Sequence, residues 1–169
     1  DRLAEVAQKI EAEIYVNVQG DEPLVNPADI RKIIETKKLF PSDVINGYTP
    51  IINPGLTKSV NVPKVVFNEE KRLIYISRQP IPGFKSLGDA PSHFYKQVCI
   101  YAFNKHELRS FSDFGRKSRT EKAEDIEIIR FFEWNQSVRL VETGPGSLSV
   151  DTQEDVEEVE SALKDVWGE

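Results

Sequence analysis

The stretch Ile14-Tyr15-Val16-Asn17-Val18-Gln19-Gly20-Asp21-Glu22-Pro23 joins a run of β-branched and aromatic residues to a turn. Valine, isoleucine and tyrosine favour strands, so the first part predicts a short buried strand over residues 14–18. The glycine and the proline end that strand, because both residue types favour turns. Two polar side chains, Gln19 and Asp21, are therefore expected directly beyond the carboxyl end of the strand.

Helices are predicted on both sides of this strand. Apolar residues recur before it at helical spacing and predict a helix over residues 2–12: Leu3, Val6, Ala7 and Ile10. After the strand, Asn26 is a favourable N-cap residue and Pro27 a favourable first helical residue, which predicts a second helix to about Phe40. A strand between two helices indicates an α/β protein.

The rest of the chain alternates between strand-like and helix-like patterns. Strands are predicted at residues 44–51, 62–67, 72–78, 95–103 and 138–141, and helices from residue 105, over residues 123–134 and from residue 152 onward. Thr152 and Asp155 have the types and spacing of a capping box. The order βα, antiparallel insertion, αβα predicts a mixed open sheet flanked by helices on both faces. Residues 1–169 are predicted to form a single domain.

The composition excludes several classes of protein. The chain has 169 residues, 30% of them charged, and a net charge of −6 at pH 7. An acidic chain without a dense basic patch is a poor ligand for nucleic acid, and no apolar run approaches the roughly 20 residues that span a bilayer. The single Cys99 cannot form an internal disulfide, which favours a reducing cytoplasm. Because the sequence contains no methionine, we expect it to be a piece of a longer protein.

Two carboxylates occupy the positions where an open α/β sheet binds ligands, beyond the carboxyl ends of its strands. Asp21 follows the strand at residues 14–18, and Asp151 follows a short apolar stretch before the last helix. Such a pair suits Mg²⁺, which takes one or two carboxylates together with phosphate oxygens and waters. The alternative is that Asp21 only makes a turn and Asp151 only begins a helix.

Other polar side chains near the predicted strand ends could contact a ligand. The amide of Gln19 can donate and accept hydrogen bonds, although it could equally satisfy backbone groups of the loop. Arg78 ends a strand beside the irregular stretch 79–92, where its guanidinium could bind a carboxylate or simply be solvated. Three weaker candidates are more often surface charges or half-buried rings: Lys64, Lys96 and Tyr101.

Residues 16–23 closely resemble the central motif of the CMP-Kdo synthetases, which are 3-deoxy-manno-octulosonate cytidylyltransferases. Further segments resemble the same family in the same order along the chain: Asp1-Arg2-Leu3-Ala4-Glu5, Pro63-Lys64-Val65-Val66, Ile76-Ser77-Arg78 with Ile81-Pro82, Ile100-Tyr101 with Phe103, and Val150-Asp151-Thr152 with Glu154-Asp155. The likeness extends from the first residue to the final helix.

The resemblance implies a nucleotide-diphosphosugar-transferase-like, Rossmann-like fold. It also implies transfer of a cytidylyl group from CTP to a 2-keto-3-deoxy sugar acid, giving the CMP-sugar and pyrophosphate, with Mg²⁺ required. Such a product serves the synthesis of lipopolysaccharide or a related surface glycan. Members of the family commonly form homodimers.

The resemblance assigns roles to individual residues as well. The metal-binding aspartates of the family match Asp21 and Asp151, which become the candidate catalytic pair. Gln97 stands where well-known members carry a sugar-facing histidine. Together with residues that match family positions near the sugar, or a family lysine of open role, it makes up the candidate substrate-binding set: Gln19, Lys64, Arg78, Gln97 and Tyr101.

The chain also departs from the family pattern. The family's Pro-Ala-Arg strand end and Arg-Leu-Pro-Gly-Lys loop, which hold the nucleotide and its triphosphate, are absent, so we expect this chain to be the C-terminal two thirds of such a domain and inactive alone. On the sugar side, Arg130 and Phe131 stand in place of an acid and an amide. The sugar acid is therefore Kdo, an amino analogue or another nonulosonate-like acid.

A non-catalytic alternative stays open at this stage. The chain could be a remnant that binds a sugar acid or a nucleotide, or a dimerisation module that pairs or packs through strands 72–78 and 95–103. If the enzymatic interpretation is right, Gln19, Arg78 and Tyr101 should face one pocket, roofed by residues 79–92.

Overall fold

The structure is a computed structural model, and it describes residues 2–144, 150 and 153–167. The helices are α1 (Arg2–Lys9), α2 (Pro27–Leu39), α3 (Lys105–Asp113), α4 (Arg119–Glu124) and α5 (Gln153–Trp167). The strands are β1 (Tyr15–Val18), β2 (Val44–Pro50), β3 (Lys64–Phe67), β4 (Leu73–Ser77), β5 (Tyr95–Phe103) and β6 (Val138–Glu142). Three 3₁₀ segments occupy Pro54–Lys58, Leu87–Asp89 and Glu127–Trp134.

The described strands form one mixed sheet in the order β4-β3-β5-β2-β6, with β1 paired to the opposite edge of β5 from β2. β5 is antiparallel to both β1 and β2, and β2 is parallel to β6. Strands β1, β2 and β6 therefore run in the same direction, and their carboxyl ends meet at one edge of the sheet. The prediction of a mixed sheet is confirmed.

Alternation along β5 separates the two faces of the sheet. Val98, Ile100 and Ala102 are fully buried and pack with Ile33 of α2. The residues between them point to the other face, because successive strand side chains alternate. That other face is covered by α1, α3 and the 3₁₀ segment Glu127–Trp134. Helical elements thus lie on both faces, as predicted.

The start of α2 follows from its sequence. The side chain of Asn26 accepts a hydrogen bond from the Ala28 amide at 2.8 Å, and Pro27 occupies the first turn. This is the predicted cap, because an N-cap side chain satisfies one of the free amides of the first turn. The predicted capping box at the last helix lies outside the described residues, since it requires Thr152.

The predicted helix over residues 123–134 is wrong. The α4 helix is capped at Ser118, whose hydroxyl forms a capping box with Glu121, and Asp125 follows its last residue in a left-handed conformation with φ 51°. A 3₁₀ segment follows. Asp125 permits the break, because aspartate tolerates the left-handed conformation better than most residues. The break directs Ile126 and the residues after it toward the sheet.

No helix within the described ranges has both the length and the apolar character needed to cross a membrane.

Candidate active site

A cavity of about 590 Å³ lies against the face of β1 and β5 that does not contact α2. It extends to the sheet edge where β1 ends, since Gln19 and Asp21 line it. The start of α1 and two further segments, residues 61–63 and 125–128, complete its walls. Its position agrees with the general rule that open α/β sheets bind ligands beyond the carboxyl ends of their strands.

Polar side chains from β1 and β5 line the floor of the cavity. Asn17 lies opposite Tyr101 in the antiparallel register, and the backbone N–H of Gln19 donates to the Cys99 carbonyl at 3.2 Å. Gln97 lies on the same face of β5 as Cys99 and Tyr101, and all five residues line the cavity. The structure thus brings together the predicted residues Gln19, Gln97 and Tyr101. Asn17 was missed, although its position two residues before Gln19 on the same strand is a signal that could have found it.

Tyr101 is held as a neutral phenol. Burial, followed by the nearby Cys99, Glu22 and Asp21, raises the pKa of Tyr101 well above its ordinary value. Each of these causes disfavours a negative charge on the phenol oxygen. Its hydroxyl is therefore a hydrogen-bond donor at neutral pH.

Asp21 lies directly beyond β1 and lines the cavity. Its Oδ1 atom is buried and has no hydrogen-bond partner among the described residues. Its carbonyl oxygen accepts a hydrogen bond from the Val150 amide at 2.8 Å. Asp151, the predicted partner of Asp21, lies outside the described residues. The contact at Val150 nevertheless brings the chain immediately before Asp151 against Asp21.

The donor chemistry at Asp21 fits a hard cation. A buried carboxylate oxygen without a donor is costly unless something positive faces it, and Mg²⁺ prefers carboxylate oxygen. The described residues contain no cluster of three or more histidine, cysteine, aspartate or glutamate side chains that could hold a metal ion. Mg²⁺ bound through one or two carboxylates does not need such a cluster, because phosphate oxygens and waters supply its other ligands.

Glu22, the neighbour of Asp21, was also missed by the sequence analysis. It is only 4% exposed, and its Oε1 accepts a hydrogen bond from the Cys99 amide at 3.0 Å. It ties the turn after β1 to the middle of β5 and also lines the cavity.

Arg78 lines the cavity, but its guanidinium is largely committed to backbone carbonyls. Nε donates to Glu124 O at 2.5 Å, Nη1 to Val60 O at 2.7 Å and Nη2 to Asp125 O at 3.1 Å. Its predicted position at the cavity agrees with the structure. Its contacts connect two segments of the cavity wall.

Lys64 does not line the cavity, so its prediction as a substrate-binding residue is not supported by its position. Its side chain is fully buried, and Nζ donates to the carbonyls of Ser59 and Arg78. Burial, and then the positive charge of Arg78, lowers the pKa of Lys64. Its contacts are with the backbone of the protein itself.

Arg130 likewise lies away from the cavity, contrary to its expected place on the sugar side. It is 3% exposed and makes two hydrogen bonds to Glu121, from Nε at 2.7 Å and from Nη2 at 2.6 Å. Its guanidinium also lies 3.9 Å from the centre of the Phe111 ring. Phe131 does line the cavity, and the acidic side chain that this segment presents there is Glu127.

The expected roof over the pocket is also wrong. No described side chain of residues 79–92 lines the cavity. The rim is built from residues 61–63 and 125–128 instead, because Arg78 and Lys64 draw the segment before residue 61 toward the end of β4.

Several known proteins match the chain over most of its length. The family model described as cytidylyltransferase matches residues 1–141. The 3-deoxy-manno-octulosonate cytidylyltransferase of Christiangramia forsetii is 34% identical over 96% of this chain and 66% of its own length. The enzyme of that name from Solibacter usitatus is 39% identical over 97% of this chain and 65% of its own length. The chain spans about two thirds of the length of the curated relatives that it matches.

Solved structures give the same result. A CMP:2-keto-3-deoxy-manno-octonic acid synthetase complexed with CTP superposes with a TM-score of 0.86 at 31% identity, covering 97% of this chain and 67% of that one. A 4-diphosphocytidyl-2C-methyl-D-erythritol synthase from Anaerococcus prevotii superposes with a TM-score of 0.57 at 14% identity, covering 95% and 64%. The second comparison supports the fold alone.

Proposed function

Because the chain belongs to the cytidylyltransferase family, among the 3-deoxy-manno-octulosonate cytidylyltransferases, we propose that the full-length protein containing it activates a 2-keto-3-deoxy sugar acid with CTP. The anomeric hydroxyl oxygen of the sugar acid attacks the α-phosphorus of CTP. The bond between that phosphorus and the bridging oxygen to the β-phosphate breaks, the hydroxyl proton is lost, and CMP-sugar and pyrophosphate form. The CMP-sugar is used in the synthesis of lipopolysaccharide or a related surface glycan.

One observation carries this proposal. Asp21 lies directly beyond β1, beside a polar cavity, and its buried Oδ1 has no hydrogen-bond partner among the described residues. In this proposal Asp21 and Asp151 hold Mg²⁺. When bound, the ion neutralises charge on the α-phosphate and favours the ionised form of the attacking hydroxyl.

The sugar acid is proposed to bind on the polar floor of the cavity. The amides of Gln19 and Gln97 can each donate to and accept from sugar hydroxyls. The neutral Tyr101 hydroxyl donates a further hydrogen bond, and Arg78 offers positive charge to the sugar carboxylate. Lys64 has no part in this proposal, because its amine is buried against backbone carbonyls. Comparing turnover of Kdo with that of its amino analogue would identify the preferred sugar.

We also propose that the protein acts in the cytoplasm as a homodimer. The single Cys99 is consistent with a reducing compartment. Ile74 is 62% exposed on β4, which is the last strand at its end of the described sheet. Covering such an exposed apolar side chain with a second subunit lowers the free energy of the assembly.

The test replaces Asp21 by asparagine in the full-length protein and measures pyrophosphate release from CTP and Kdo with Mg²⁺. We expect Asp21→Asn to lower turnover by about 100-fold or more. Replacing a residue that only hydrogen-bonds to a metal ligand already costs about 10- to 100-fold in metal affinity or activity. Binding of Mn²⁺, followed by its electron paramagnetic resonance, should weaken in parallel. Circular dichroism should show an unchanged fold.

Asp89→Asn is the matched control, because Asp89 is exposed and lines no part of the cavity. It should behave as the parent protein does. Normal turnover in Asp21→Asn would contradict the role of Asp21. A parent protein that binds the sugar acid but releases no pyrophosphate would instead support the non-catalytic alternative.

A further inference from the structure

Glu124, in the last turn of α4, binds the end of β4 through both of its carboxylate oxygens. Oε1 accepts hydrogen bonds from the Tyr75 hydroxyl at 3.1 Å and the Ser77 hydroxyl at 2.7 Å. Oε2 accepts from the Arg78 amide at 2.8 Å. A single carboxylate thus fixes the last residue of β4, the residue after it and the tyrosine two residues before its end.

Arg78 returns the contact and extends it to a third segment. Its guanidinium donates to the carbonyls of Glu124 and Asp125 and, on its other side, to that of Val60. Lys64 adds a second connection, because its Nζ donates to the carbonyls of Ser59 and Arg78. The chain at residues 59–60, the end of β4 and the end of α4 are therefore bound together.

These three segments lead directly into one wall of the cavity. Residues 61–63 follow Val60, residues 125–128 begin immediately after Glu124, and Arg78 itself lines the cavity. The left-handed Asp125 turns the chain at this point. A shift of the Glu124 carboxylate would therefore move both rim segments and the Arg78 guanidinium together.

The network is charge-assisted at neutral pH. Burial tends to raise the pKa of Glu124, but the hydrogen bonds from Ser77, the Arg78 amide and Tyr75, with the charge of Arg78, outweigh it and lower the pKa overall. Glu124 is therefore ionised, and hydrogen bonds to an ionised acceptor are roughly twice as strong as those between neutral groups.

We propose that Glu124 is a positioning residue for the sugar-acid side of the cavity. It sets the place of Arg78 and of rim residues 61–63 and 125–128. The proposal rests on the proposed function for the identity of the ligand. It predicts an effect on the sugar acid and none on CTP, since none of these contacts involves the turn after β1. A misplacement of about 1 Å can cost up to about 100-fold in rate, so a loss of about tenfold in sugar affinity is a moderate expectation.

The test compares three variants of the full-length protein by steady-state kinetics with CTP and Kdo. Glu124→Ala removes all three hydrogen bonds and should raise the KM for Kdo by about tenfold, with the KM for CTP unchanged within about twofold. Glu124→Gln should restore the KM for Kdo to within about threefold of the parent value. Its amide oxygen can accept from the Arg78 amide while its NH₂ group donates to the two hydroxyls.

Glu133→Ala is the matched control, because it removes the same charge from an exposed side chain. Glu133 lies in the 3₁₀ segment Glu127–Trp134 and does not line the cavity. This variant should leave both the melting temperature and the KM for Kdo unchanged. If Glu124→Ala does not fold, Ser77→Ala removes one hydroxyl of the network and should raise the KM for Kdo by a smaller factor.

An unchanged KM for Kdo in Glu124→Ala, or equal increases for Kdo and CTP, would overturn the positioning role. Equilibrium binding of Kdo, measured by calorimetry on the same variants, separates this failure from failure of the proposed function. Even a protein that transfers no cytidylyl group should bind Kdo more weakly in the Glu124→Ala variant than in the Glu133→Ala variant if the positioning role is right.

Discussion

Asn46 determines how Gln97 is presented to the cavity. It is fully buried, and its Nδ2 donates to the carbonyls of Val98 at 2.9 Å and Ile100 at 3.1 Å. Its Oδ1 accepts from Gln97 Nε2 at 2.9 Å. The register of β2 against β5 shifts between Asn46 and Gly47, and such irregularities often redirect a side chain beside a functional site. The hydrogen bond to Asn46 thus sets the orientation of the Gln97 side-chain amide.

Replacing Asn46 by alanine should affect both stability and sugar binding. Each buried polar group left without its partner costs about 1–3 kcal/mol, so the free energy of unfolding in urea should fall by about 2–3 kcal/mol. The KM for the sugar acid should rise, because Gln97 loses the contact that orients it.

Asn68→Ala is the control for this variant. Asn68 is exposed in the β3–β4 loop, where its Oδ1 accepts from the Arg72 amide at 2.8 Å. It should cost about 1 kcal/mol or less and leave the KM alone. An Asn46→Ala protein with normal sugar kinetics would show that Gln97 is oriented by other contacts or binds no sugar.

Individual site residues differed in how far the sequence could place them. Gln19 and Asp21 follow a strand whose end marks the ligand-binding edge, so their positions could be predicted from strand geometry alone. Lys64 and Arg130 could not be placed in this way. A long cationic side chain turns toward whichever acceptor the tertiary structure brings near it. For Lys64 these acceptors are carbonyls of Ser59 and Arg78.

Among the elements, β5 and α4 mark the two extremes of predictability. The predicted bounds of β5, residues 95–103, agree with the structure. The segment is long, and its β-branched and aromatic residues strongly favour a strand. The segment 123–134 was predicted as one helix from its apolar spacing, and Ile126 and Ile129 are indeed buried. Its division at Asp125 could not be predicted, because it depends on Glu121 and Arg130 being bound across the turn.

The Glu121–Arg130 pair offers a test of this division. Both side chains are almost completely buried, at 0% and 3% exposure. Glu121→Leu would remove the carboxylate that faces the buried guanidinium of Arg130, and breaking a buried ion pair in this way typically costs about 3–5 kcal/mol. In the double variant Glu121→Leu/Arg130→Met the charge is gone, so most of that loss should be recovered in urea unfolding. A double variant as unstable as the single one would mean that packing, rather than the ion pair, holds the turn.

Acid should also remove the stability that the Glu121–Arg130 ion pair contributes. Burial tends to raise the pKa of Glu121, but hydrogen bonds from Arg130 and the Ser118 amide, with the charge of Arg130, lower it overall. A carboxyl whose folded-state pKa is depressed stabilises the protein above its unfolded value, near 4.3, and loses that contribution as the pH falls through the folded value. The stability gap between the parent protein and Glu121→Leu should therefore narrow below about pH 4.3.

At the scale of the whole molecule, the topology brings separate parts of the chain to Asp21. The carboxyl ends of β1, β2 and β6 lie at one edge of the sheet. Just beyond β6, the Gly144 amide donates to both carboxylate oxygens of Asp29 in the first turn of α2, at 3.2 Å to Oδ1 and 3.1 Å to Oδ2. The Val150 amide in turn donates to Asp21. Gly144 is thus bound to α2, and Val150 is bound to the turn after β1.

We expect the 169-residue chain by itself to bind the sugar acid without transferring a cytidylyl group. The polar floor and rim of the cavity lie within its described residues. Transfer at the α-phosphate, however, requires the β- and γ-phosphates to be held, because positioning and electrostatics supply nearly all of the catalysis. No lysine directly follows the glycine-rich run Gly144-Pro145-Gly146-Ser147, which leads into an acidic segment. Calorimetry with Kdo, and pyrophosphate release from CTP, Kdo and Mg²⁺, check the two halves of this prediction against the full-length protein. Release at a rate near that of the full-length protein would mean that residues of this chain hold the triphosphate.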